Sequence, residues 1–172
     1  LAAIENGWFR NEIVPVTVPG RGGDTVVDTD EQPGNAKPEK IPNLKPAFAK
    51  DGSVTAANSS SISDGASALV LASAAEADAR GLTAQARIIA HATHARLPSE
   101  FTLAPIGAIE KVLAKAGWSK DDVDLFEINE AFAVVTLAAI NELGLAPEKV
   151  NVHGGACALG HPIGSSGSRI LI

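Results

Sequence analysis

The chain has 172 residues, of which 45% are hydrophobic and 20% charged, and its formal net charge is -6. That balance suits a globular domain with a real core and excludes a disordered polyelectrolyte. An acidic chain with no long basic run is not built to attract nucleic acid. No apolar stretch is long enough to span a bilayer and no signal-peptide pattern opens the chain, so no membrane association is expected. A single cysteine, Cys157, leaves no internal disulfide framework and fits a reducing compartment. There is no methionine, and the final run Ser168, Arg169, Ile170, Leu171, Ile172 looks like a helix cut in mid-course, without a glycine cap or a following proline. The chain is therefore expected to be an interior fragment of a longer protein.

Residues 1–65 hold six of the prolines, Pro15, Pro19, Pro33, Pro38, Pro42 and Pro46, which break both helix and ladder. The segment reads as an elaborate loop or cap, with a short edge strand within 13–18. From Ala66 the pattern becomes regular. Residues 68–72 read as a short buried strand and 74–79 as a short helix stopped by Gly81. Residues 86–92 read as a second strand. Residues 105–116 form an amphipathic helix with Ile106, Ile109, Val112 and Leu113 on one face and Gly117 as its cap. A short strand over 123–128 precedes a largely apolar helix over 132–143, capped by Gly144. A last strand over 150–152 leads into a glycine-dense loop and a final helix near Pro162. Strands alternating with helices predict an α/β layer with a mostly parallel sheet.

The glycine-dense run is GGACALGHPIGSSGSR, residues 154–169. It holds His161 at a helix entrance, with Pro162 at the first helical position. Backbone amides point outward there and favour negative charge. Two readings stand side by side: a general base or oxyanion donor, or a histidine that merely satisfies a carbonyl in a plain turn. Cys157, four residues earlier, suggests a Cys-His nucleophile. Set among Ala156, Ala158 and Leu159, it equally reads as a small buried hydrophobe. Asn129 reads as an N-cap and Glu130 as a helix-start carboxylate. Phe132 suits a core, and Ser60 lies in a serine-rich turn of the kind that bonds its own backbone. His91 and His94 fall on opposite faces of a strand, and no carboxylate or thiol cluster completes a metal site.

Three stretches resemble one family. Residues 154–169 are similar to the GGA-x-x-GHPIG-x-SG-x-R signature of thiolases. NEAFA at 129–133 and VTAANSSSISDGA at 54–66 resemble two further thiolase segments, in the same order and spacing. The resemblance runs the length of the chain and is nearest to biosynthetic acetoacetyl-CoA thiolases. It implies a layered α-β-α thiolase half with an incomplete, mostly parallel sheet. Residues 1–65 are then the tail of the loop domain that covers coenzyme A, and 66–172 the C-terminal domain, truncated before its last strands. It implies reversible Claisen condensation of two acetyl-CoA to acetoacetyl-CoA and CoA, with His161 activating a cysteine and holding the thioester oxygen. Asn129 would carry a water that completes an oxyanion hole. Ser60, Ala56 and Phe132 would line the pantetheine arm. Both reactive thiols of the family fall outside this chain, so Cys157 is expected to be inert and the fragment alone inactive. The resemblance also implies no metal or redox cofactor, a homodimer or homotetramer, and a bacterial cytoplasm or a mitochondrial matrix as location. A degradative 3-ketoacyl-CoA thiolase and a CoA-binding protein without chemistry are the alternatives. Ser61 and Ser63 depart from the family pattern, which has glycine and asparagine there.

Overall fold

The computed structural model describes residues 1–172. Its helices are α1 (Ala2–Glu5), α2 (Glu31–Asn35), α3 (Ala74–Ala79), α4 (Ala104–Ala116), α5 (Ala133–Leu143), α6 (Ala156–Leu159) and α7 (Ile163–Arg169). The two strands, β1 (Val16–Val18) and β2 (Thr25–Val27), pair antiparallel with Val16 opposite Val27 and Val18 opposite Thr25. No helix is long and apolar enough to cross a membrane.

The core lies where α4 meets α5 and the segments on either side of α5. Ile128, Val135, Ala139, Leu145 and Val150 are buried together, with Ile106 and Ile109 of α4 packed against them. The predicted apolar stripe of α4 thus does its work through Ile106 and Ile109. Both long helices end as the sequence requires. Gly117 and Gly144 take left-handed φ of 71° and 58°, a conformation that costs other L-residues roughly 1 kcal/mol or more.

The four strands expected in the regular region do not form ladders here. Residues 68–72 and 86–92 make no backbone–backbone hydrogen bond. A strand needs a neighbour for its amides and carbonyls, and within these 172 residues neither segment has one. Their apolar side chains stand open: Val70 is 95% exposed, and Leu71, Ile88 and Ile89 are also exposed. Side chains anchor them instead. The Ser67 hydroxyl contacts those of Ser165 (2.7 Å) and Ser168 (2.6 Å) on α7, while Lys115 Nζ donates to the His91 carbonyl at 2.9 Å. The His94 ring lies so close over Gly107 of α4 that a Cβ there would come within 2.6 Å of it. The parallel pairing that does exist consists of two single bridges, Phe126 with Val150 and Ile62 with His161.

The expected strand over 150–152 ends at Val150. Asn151 adopts φ 49°, the one non-glycine residue with positive φ, and the Gly154 amide closes a turn onto its carbonyl at 2.9 Å. Helix α5 also starts later than its polar flank suggests: Phe132, with extended backbone and no side-chain cap, is its N-cap residue. Asn129 therefore caps nothing, and Glu130 is not a first-turn carboxylate.

Gly117→Ala should lower stability by about 1 kcal/mol, because alanine must hold the left-handed cap. Gly167→Ala, inside α7 with nothing near its Cβ position, should be neutral or stabilising by up to about 1 kcal/mol. Urea unfolding of both variants measures the contrast, and equal effects would show that the cap does not decide where α4 ends.

Candidate active site

The site forms where three loops converge on His161. Residues 59–63 lie between the other two. On one side Ser59 bridges Phe132, and both the amide and the hydroxyl of Ser60 donate to the Ala131 carbonyl at 3.2 and 2.9 Å. On the other side Ile62 bridges His161, whose own amide donates to the Ser61 carbonyl at 2.9 Å. His161 is thereby tied through one short segment to the stretch that carries Asn129.

The approach to His161 is tightly packed. Gly160 turns the chain with φ 91°, and a Cβ there would overlap the Ser63 hydroxyl. Arg169 Nη1 donates to the Gly160 carbonyl at 3.0 Å, so the far end of α7 holds the turn that precedes it. Pro162 sits against Gly65, where a Cβ would lie 2.7 Å from its ring. Glycine at 65 and at 160 is thus required for close approach.

Two side chains flank the imidazole. Its Nδ1 lies 2.6 Å from Ser166 Oγ, and Ser166 is only 2% exposed. Its Nε2 lies 3.4 Å from the Asn129 amide nitrogen, a group that can only donate. The Asn129 Oδ1 is buried and has no protein partner. One end of this amide thus faces the imidazole. Ser166 has no distinctive mark in the sequence beyond a hydroxyl in a helix of small residues.

Asn129 is held by a network the sequence did not announce. Asn151 Oδ1 accepts from the Ile128 amide at 2.8 Å, and its Nδ2 donates to the Ile128 carbonyl and to Glu130 Oε1, both at 2.9 Å. Glu130 Oε2 in turn accepts the Cys157 amide at 3.1 Å. The carboxylate fills the space above Gly155, where any Cβ would overlap it. The neighbours of Asn129 on both sides are therefore fixed. The only hint in the sequence is an asparagine between two valines, in a place where asparagine is disfavoured in strands but tolerates left-handed φ.

Cys157 does not pair with His161. Its thiol donates weakly to the Glu130 carbonyl at 3.7 Å. Burial raises its pKa from 9.0 to about 11, and the charge of Glu130 adds to the rise. A thiol so placed is a poor nucleophile.

Ala56 lies in a short turn, Ala56–Asn58, whose capping box is formed by Thr55 and Asn58. The Ser60 hydroxyl spends its proton on Ala131, so its lone pairs are what remain for a ligand. Phe132 sits between two other rings, 5.8 Å from Phe48 and 6.0 Å from Phe101. Phe101 also lines an apolar cleft with Ile109, Ile128, Asn129, Ala131 and Ile170. His153 lies against Trp8 and Phe9, with ring centroids 4.5 and 6.1 Å away.

Comparison with known proteins agrees along the whole chain. Residues 82–172 match the family described as "Thiolase, C-terminal domain" and residues 1–75 the one described as "Thiolase, N-terminal domain". An acetyl-CoA acetyltransferase of Yarrowia lipolytica is 52% identical over 99% of this chain and 43% of its own length. One from Pseudomonas aeruginosa is 52% identical over 100% of this chain and 44% of its own. Among solved structures, the Bacillus anthracis acetyl-CoA acetyltransferase superposes with a TM-score of 0.94 at 47% identity, covering 99% of this chain and 43% of that one. An Ascaris suum thiolase in complex with coenzyme A gives 0.92 at 45% identity, covering 99% and 44%. The chain spans less than half the length of the relatives it matches.

Cys157 should react slowly with iodoacetamide. With the pKa near 11 rather than 9.0, the thiolate fraction at pH 8 falls by about 100-fold. The alkylation rate, followed by mass spectrometry, should still be climbing tenfold per pH unit at pH 9–10. A plateau above pH 9 would mean that burial does not suppress the thiolate.

Proposed function

Because this chain belongs to the thiolase family, we propose that it supplies one half of the active site of an acetyl-CoA acetyltransferase. The reaction is the reversible condensation of two acetyl-CoA to acetoacetyl-CoA and CoA. Among solved structures, identity of 47% to an acetyl-CoA acetyltransferase against 42% to a human mitochondrial 3-ketoacyl-CoA thiolase favours this over the degradative reading. The observation that carries the proposal is the approach of His161 Nε2 to Asn129 at 3.4 Å, with Ser166 behind the ring.

The chemistry follows from where the imidazole proton lies. With the Ser166 hydroxyl as donor to Nδ1, 2.6 Å away, the ring proton lies on Nε2, and Nε2–H and the Asn129 amide nitrogen, 3.4 Å apart, are two donors side by side rather than a hydrogen-bonded pair. Nε2–H is then a donor for an oxygen that gains charge, and Asn129 orients a water as the second donor. When a base removes a proton from the methyl of a bound acetyl thioester, the carbonyl oxygen becomes an enolate oxygen. Two fixed donors stabilise it far more than mobile solvent would. The enolate carbon attacks an acetyl group held as a thioester on the enzyme. A carbon–carbon bond forms, the carbon–sulfur bond to the enzyme breaks, and the thiol is restored.

The nucleophilic thiol and the second acid/base belong to other parts of the intact protein. Cys157, buried against Glu130, serves neither role. The segment 1–65 contributes to the cover over coenzyme A, and residues 66–172 form the truncated C-terminal domain. Ser60, Ala56 and the Phe132 ring border the entry for the pantetheine arm. The open apolar runs at 68–72 and 86–92 are strands that the rest of a thiolase would complete, and a homodimer or homotetramer is the assembly expected of it. The substrate is a CoA thioester, and the residues around His161 are donors suited to an oxyanion rather than a metal-ligand set.

In the intact protein, His161→Ala should lower kcat for condensation and thiolysis by at least about 10²-fold while CoA affinity stays near wild type. Asn129→Ala should act on kcat more than on KM. Steady-state kinetics in both directions test this, and near-normal turnover by His161→Ala would end the assignment. The 172-residue chain alone should turn over no acetyl-CoA, since its one thiol is Cys157.

A further inference from the structure

Helix α2 brings no residue to the site described above, yet its second residue reaches the wall behind His161. The helix packs on α6, and Gln32 projects its amide between two of the converging loops. Its Nε2 donates to the Cys157 carbonyl at 3.1 Å. Its Oε1 accepts the Ser61 hydroxyl. That hydroxyl is also 2.9 Å from Ser63 Oγ, and Ser63 is the side chain pressed on Gly160. The Ser61 carbonyl, in turn, accepts the His161 amide at 2.9 Å. One side chain therefore holds both the strand-like segment that His161 pairs with and the α6 loop that delivers the chain to Gly160.

We infer that Gln32 is a positioning residue for His161, acting through Ser61 and the Cys157 carbonyl to fix the backbone on either side of the imidazole. The chemistry calls for an amide. The two loops present a carbonyl on one side and a hydroxyl on the other, and only a group with a donor and an acceptor on one plane answers both. A carboxylate of the same shape would set an acceptor against the Cys157 carbonyl. An alanine would leave the Cys157 carbonyl without its side-chain donor and the Ser61 hydroxyl with Ser63 alone. Ser61 is the other half of the device, since glycine at that position has no hydroxyl to offer. The clasp crosses from the segment 31–35 to the histidine loop, so a displacement of α2 is transmitted to His161.

The catalytic part of this inference rests on the function proposed above, and the test separates the two. In the intact protein, amide hydrogen exchange is followed at His161, with α4 as internal reference. Gln32→Ala should raise exchange at His161 by about tenfold and leave α4 unchanged. Ser61→Gly, which removes the same contact from the other side, should do likewise. In kinetics each variant should lose about tenfold in kcat with KM within about twofold, and the double variant should be no worse than the poorer single one. Gln32→Glu should lose as much as Gln32→Ala. Unchanged exchange at His161 in both single variants overturns the clasp whatever the activity. Loosened exchange with wild-type kcat, or a loss confined to KM, overturns the positioning role. Wild-type turnover by His161→Ala would instead remove the functional reading and leave the exchange result standing.

Discussion

The site depends on the side chain of Asn151. The parallel pairing of Phe126 with Val150 is held by the Phe126 amide on the Lys149 carbonyl and the Asn151 amide on the Phe126 carbonyl, at 2.8 and 2.9 Å. One residue later the backbone turns away through left-handed φ. The next amide and carbonyl on the opposite side, those of Ile128, would then lose their partners at a place where Ile128 is 7% exposed. The Asn151 carboxamide takes over both bonds, acting as a peptide group in place of the one that left. Asparagine suits the task because it tolerates the left-handed region and carries an amide at the right reach. Glycine would satisfy the φ and lose the amide. A β-branched strand residue would do neither.

The turn at Asn151 has two consequences. It releases the chain from the sheet direction into the glycine loop, and it fixes the residue immediately before Asn129. The same amide spends its remaining hydrogen on Glu130, which fixes the residue immediately after. Glu130 then reaches the Cys157 amide and fills the space over Gly155. Burial is what chiefly keeps the nearby thiol protonated, and the charge of the carboxylate that orders the loop adds to it. The loop therefore presents the imidazole toward Asn129 and leaves its own cysteine quiet. The opposite wall is set by Ser166, Arg169 and the residues 59–63. His161 is held from the front, the back and the backbone by three separate parts of the chain.

Much of this was legible before the structure. The helices α4 and α5 follow from apolar spacing and terminal glycines, and α7 from a proline followed by small residues. That His161 follows a tight turn was legible from glycine density, and its closeness to Asn129 from the thiolase resemblance. The strands were not legible in the same way. Residues 68–72 and 86–92 have strand composition, but a strand is a relation between two segments, and composition says nothing about whether the partner lies in the same 172 residues. Asn151, Ser166 and Gln32 were missed for a common reason. Each acts through a side-chain hydrogen bond to a residue distant in sequence or on the next turn, and no periodicity records such a bond. Asn129 and Glu130 were assigned local capping roles because capping is what such residues do near a helix start. Here the helix starts three residues further on, and both side chains turn to tertiary partners.

The oxyanion-donor role of His161 depends on which ring nitrogen carries the proton. Nitrogen-15 NMR of the imidazole, at a pH where the ring is neutral, reports the tautomer directly. That role requires the Nε2–H form, with Nδ1 accepting from Ser166, and Ser166→Ala should then shift the population toward a mixture of tautomers. A ring found as Nδ1–H, donating to Ser166 and turning a lone pair toward Asn129, would contradict the oxyanion-donor role assigned to His161.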